Sequence, residues 1–260
     1  MNQTFDLQRF WLFLKLDWAE KGRKYLLTGG LLLVIMMTLM LPIILTNSFS
    51  QILMLLHALA LFMVVMFGGS LYTSTVFTQY GTTDTATASL MVPASQLEKF
   101  LVPLLLNLIF IIPVTFLFSK LHFWFIGIAN SSQTGSSRYS SIPYDVLRYF
   151  IYLHMIIQGC VFLGSIYFRK LSYVKTAVLL FFIAITFTAV HIIYIYKVTD
   201  SPAQVVSFPF SAWKLWYSPS GKHYYLAHSE SEQALLYTFP ILFLLTTWYI
   251  SFVRLKEKEI

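Results

Sequence analysis

From Tyr25 to Leu45 the chain runs for twenty-one residues without a charged side chain. As a helix rising about 1.5 Å per residue, that run matches the roughly 30 Å hydrocarbon core of a bilayer. Five comparable runs follow, at roughly Ile52–Val76, Phe100–Phe118, Val146–Phe168, Tyr173–Tyr196 and Ala234–Val253. In lipid the backbone has no water to bond, so such runs fold as helices that satisfy their own N–H and C=O groups. The pattern predicts an all-α polytopic membrane protein with six transmembrane helices, residues 1–260 forming a single membrane domain. Composition agrees: 57% of the 260 residues are apolar and 11% charged, against about 25% charged in a soluble domain.

The segments between the runs are as informative as the runs. Over residues 5–24, Leu7, Phe10, Trp11, Leu14 and Trp18 recur every three or four positions and share one helix face. Asp17, Glu20, Lys21, Arg23 and Lys24 would be costly in hydrocarbon. This stretch therefore predicts an amphipathic helix lying in the interface, with its two Trp at headgroup depth. Pro103 and Pro113 predict kinks in the third span, whose far end is blurred by the apolar stretch Leu121–Ala129. Residues 197–233 form a long aromatic loop, carrying Phe208, Phe210, Trp213, Trp216, Tyr217, Tyr224 and Tyr225. Such residues suit a loop resting on the lipid surface, or a lid over a lipid-like substrate.

Charge orients the spans. With the N-terminus inside, twelve Lys and Arg fall on inside segments and six on the longer outside ones. The positive-inside rule then expects both termini in the cytoplasm. The net charge of +7 is thereby read as a topology signal, with no nucleic acid implied. The single cysteine, Cys160, forms no internal disulfide and says little of compartment.

With that orientation, residues 77–99 are the conspicuous cytoplasmic break between spans two and three. Asp84, after Gly81-Thr82-Thr83, can cap a short helix ending near Leu90 and Met91. Pro93 stops it. Ser95 and Glu98, three apart and followed by the apolar run from Phe100, have capping-box spacing. The segment is a membrane-surface turn or a docking element for a cytosolic partner.

No nucleotide phosphate loop, zinc-protease, dithiol or nucleophile-elbow motif occurs. No carboxylate lies deep in a span, which argues against an ion-driven carrier with a buried acidic relay. Nothing marks the chain as an enzyme. His57, His154 and His191 fall in the outer halves of their spans. They are weak metal candidates, imidazole being a common ligand; the plainer reading is hydrogen bonding between helices. His223 and His228 are loop histidines at ligand-like spacing. Gly68, Gly69, Ser70, Gly159, Cys160, Gly164 and Ser165 let helices approach closely, within the chain or at a dimer seam.

In order, Gly81-Thr82, Leu90-Met91 and Pro93-Ala94-Ser95, set between spans two and three of a six-span chain, resemble the permease subunits of ABC-2-type transporters. The acidic residue expected before the glycine is replaced by Gln79-Tyr80, and the spacing from Gly81 to Pro93 is stretched. The resemblance implies a separate cytosolic ABC ATPase, carrying ATP and Mg, that docks on this loop. Its docking residues would include Asp84, Leu90, Met91, Pro93, Ser95 and Glu98. It further implies a second permease subunit, identical or different, and export across a bacterial cytoplasmic membrane, with lipid as the surrounding partner. The alternatives are a non-transporting membrane scaffold or regulator for a cytosolic partner, or an intramembrane enzyme acting on a lipid.

Overall fold

A computed structural model describes residues 4–46, 48–80, 91–132, 137–168, 170–199, 204–206, 213–217, 222–226 and 229–258. The first helix, α1 (Leu7–Leu45), is capped by Asp6, whose carboxylate accepts from the backbone N–H groups of Gln8 and Arg9 at 2.8 and 3.3 Å. The boundary expected at Lys24 is absent. The predicted interfacial stretch and the first span form one unbroken helix of 39 residues, about 58 Å long if straight. Its charges do not interrupt it because they find partners: Asp17 bonds Lys21 at 2.5 Å and Tyr25 at 3.2 Å, and Lys21 reaches Gln79 at 2.6 Å. Leu7, Trp11, Leu12, Leu16 and Trp18 are exposed, whereas Phe10, Phe13 and Leu14 pack onto Ala94, Val102 and Leu106.

The second span is composite. An α-helix, α2 (Gln51–Phe62), passes into a π-helical turn (Met63–Gly68), then α3 (Gly69–Thr73), and ends in a 3-10 turn (Thr78–Tyr80). The third, α4 (Gln96–Ser132), continues through Pro103 and Pro113 and past the expected end at Phe118, taking in Leu121–Ala129. Spans four to six are α5 (Tyr144–Tyr167), α6 (Ser172–Val198) and α7 (Glu230–Lys258). Among the described residues, six helices are thus long and apolar enough to cross a membrane.

The all-α expectation needs one correction. The aromatic loop holds three short antiparallel strands, β1 (Gln204–Val206), β2 (Trp213–Tyr217) and β3 (Lys222–Leu226), in the order β1-β2-β3. Lys214 faces Tyr225 across the β2–β3 pair, its ammonium 5.9 Å from the ring. Tyr217 tethers the sheet to α6 by donating its hydroxyl to the Thr199 carbonyl at 2.5 Å.

Packing falls into two groups. α1 lies along α4 and α2, with a core that includes Met36, Met40, Leu61, Phe118, Phe125 and Tyr139. α5 packs most extensively on α7. A second core of Phe77, Tyr80, Phe100, Phe162, Ile166 and Leu255 joins the groups at the end of the bundle that also carries Asp6 and Lys258, termed here the near end. There Lys258 donates to the carbonyls of Ile166 (2.8 Å) and Tyr80 (3.3 Å). A cation is favourable at the carbonyl-rich end of α5. The glycines serve these contacts. A Cβ on Gly159 would meet Thr247 at 2.6 Å and one on Gly164 would meet Thr176 at 2.0 Å, so both positions are filled from within the chain.

Candidate functional site

Two polar assemblies stand out, one at the near end and one inside the bundle. The first is built on Glu98, whose side chain is 0% exposed. The capping box forms as its spacing predicts: Glu98 N–H donates to the Ser95 hydroxyl at 3.2 Å, and Ser95 N–H donates to Glu98 Oε2 at 2.9 Å. The same carboxylate also accepts from the N-terminal helix. Arg9 grips it with two N–H groups, both at 2.9 Å, and Asp6 N–H reaches Oε1 at 2.8 Å. A fork of this kind fixes direction as well as distance. Glu98 is therefore both the cap of α4 and the clasp between α4 and α1.

Of the other predicted docking residues, Asp84 and Leu90 lie outside the described residues. Met91 is helical and 79% exposed. Pro93 is exposed within the bend that follows, and Ser95 is buried. An exposed methionine thus sits seven residues before Glu98, the buried, four-bond clasp.

The second assembly joins α3, α4 and α5. Thr73 Oγ1 lies 3.1 Å from the Gly69 carbonyl, 2.9 Å from Asn107 Oδ1 and 2.5 Å from Gln158 Oε1. Gln158 Nε2 contacts Ser70 Oγ at 3.5 Å and His154 Nε2 at 3.2 Å. All five side chains are buried. A hydroxyl has one proton to give. The consistent arrangement has Thr73 donate to Gln158 while the Asn107 amide turns an N–H toward Thr73. Directly beside this network the chain makes its π-helical turn, and Ser70 returns its hydroxyl to the Met66 carbonyl. Such turns re-aim side chains and cluster at functional sites. A cavity of about 20 Å³, bordered by Phe62, Val65, Met66, Ser119, Phe150 and His154, adjoins it; that is room for one water. Its groups are neutral donors and acceptors, suited to holding helices together or binding a neutral polar group.

The histidines separate. His154 belongs to this network, His191 packs near Phe187 on α6, and His57 stands beside His122, ring centroids 5.1 Å apart. No three His, Cys, Asp or Glu side chains gather as a metal site among the described residues. His223 lies on β3, and His228 lies outside the described residues. His122, Thr73, Asn107, Gln158, Asp6 and Arg9 are the residues that sequence reasoning missed, and Ser70 was read only as a small packing residue. Asp6 carried a readable signal, an acidic residue one step before an apolar periodic run. The others needed the packing.

In its fold class the chain is a multi-pass helical membrane protein. Compared with known proteins, it matches no family model, no curated protein and no solved structure.

Proposed function

We propose that the chain is the permease subunit of an ATP-driven exporter of the ABC-2 type, with both termini and residues 77–99 in the cytoplasm of a bacterial cell. A separate ABC ATPase, holding ATP and Mg, docks on residues 84–91. A second permease subunit completes the pathway. The Leu7/Trp11/Trp18 side of α1 meets the headgroup layer, where exposed Trp is favourable. The observation that carries this reading is the clasp on Glu98. A push on the loop at Met91 is passed, through one buried carboxylate, to α4 and α1 together. From there the Thr73–Asn107–Gln158 network hands the displacement to α5. A plain surface turn has no need of such a linkage.

The experiment is affinity purification from native membranes. The wild-type chain should bring down an ATPase, and Met91→Asp should lose it while still inserting, since Met91 is exposed and lies outside the buried cores. Purification with no ATPase overturns the reading. A partner without nucleotide-binding motifs would move the chain to the scaffold class.

A further inference from the structure

His57 on α2 and His122 on α4 face each other in the half of the bundle away from the near end. They are 2% and 0% exposed. None of their four ring nitrogens has a hydrogen-bond partner among the described residues. The His57 backbone carbonyl also faces the His122 ring. Buried polar groups are almost always partnered, and an orphan is costly. Four orphaned nitrogens on two adjoining rings therefore mark a place built to receive something. Tyr139 closes it from the side, its ring edge-on to His57 at 6.2 Å. The Tyr139 hydroxyl accepts from Ser50 N–H at 3.3 Å and donates to the Ser48 carbonyl at 3.5 Å.

Three features define the ligand. A neutral imidazole offers one lone pair, so two rings offer two donors to a single acceptor, which is the requirement of a cation. The charge is limited. Asp145, an acidic residue at this end of the bundle, is on the surface, its side chain 89% exposed. With no carboxylate bonded to either ring among the described residues, a buried ion costs energy as the square of its charge, and a divalent ion costs about four times a monovalent one. The donor count excludes a closed tetrahedral zinc site, which takes four ligands. A d10 monovalent ion such as Cu(I) or Ag(I) is satisfied by two nitrogens.

We propose that His57 and His122 form a two-nitrogen site for one monovalent soft cation of the Cu(I) class. The site is independent of the transport reading, because it involves neither the loop nor the Glu98 clasp.

The test uses the full chain in detergent under anaerobic conditions, titrated with Cu(I) against a chromogenic Cu(I) chelator. One Cu(I) should be held per chain, and copper K-edge absorption should show nitrogen neighbours. His57→Phe and His122→Phe should each weaken binding by more than about 100-fold, beyond the roughly 10–100-fold that a supporting residue costs. His191→Ala should leave it intact. The proposal is overturned if the wild-type chain retains no Cu(I), if both Phe variants retain it equally well, or if the bound copper has only sulfur neighbours. Should the variants fail to fold, the absorption spectrum of the wild-type chain decides alone.

Discussion

Glu98 accepts four hydrogen bonds from three different sources, Ser95, Asp6 and Arg9, and that concentration makes its replacement unlike the loss of an ordinary cap. A lost N-cap costs about 0.5–2 kcal/mol. Ser95→Ala should fall in that range, because the carboxylate keeps its other partners. Glu98→Ala should cost more, since it also ends bonds to a charged acceptor worth roughly 1.5–3 kcal/mol apiece, incompletely additive. Thermal unfolding in detergent should therefore rank wild type above Ser95→Ala and Ser95→Ala above Glu98→Ala. Equal midpoints for the two variants would mean that α1 does not depend on the clasp.

Among the elements, α5 and α6 meet at a notch. Gly164 leaves room for Thr176, and a Cβ there would lie 2.0 Å from the threonine hydroxyl oxygen. Gly164→Ala should force the helices apart and lower the unfolding midpoint. Adding Thr176→Ala removes the colliding atom and should recover part of the loss; an additive double variant would place the contact elsewhere. Element by element, the sequence was legible where one physical demand dominated. Six apolar runs of bilayer length became six helices, and Ser95 with Glu98 became a capping box because both depend on local spacing. It was illegible where distant residues decide. The charges of residues 17–24 promised a break, but Asp17 and Lys21 satisfy each other and Gln79, so α1 continues. His122 went unpaired with His57 because it lies four residues beyond Phe118, where the third span was expected to end, whereas the helix runs on to Ser132. The strands of the aromatic loop were missed because rings suited to lipid headgroups are also good strand formers.

At the scale of the whole molecule, Arg9, Glu98, Tyr80, Ile166 and Lys258 share the near end, whereas Tyr139 and the β1–β3 sheet lie away from it. Orientation is then a single choice. In a background with Cys160 replaced by serine, Ser140→Cys should react with an impermeant maleimide on sealed cells, and Lys256→Cys should react only after lysis. The reverse pattern would turn the molecule over and remove the loop from the reach of a cytosolic ATPase. One element answers to the solvent more than to the fold. α6 buries little beyond Thr176 and Ile195 and leaves most of its apolar surface, Phe181, Phe182 and Ile193 among it, uncovered. Acyl chains wet such a surface at no cost, so the native position of α6 is held as much by lateral pressure as by its neighbours. The choice of amphiphile is thus part of the protein's structure: a long-chain lipid disc preserves the α5–α6 seam, and a small, mobile micelle wedges it open first.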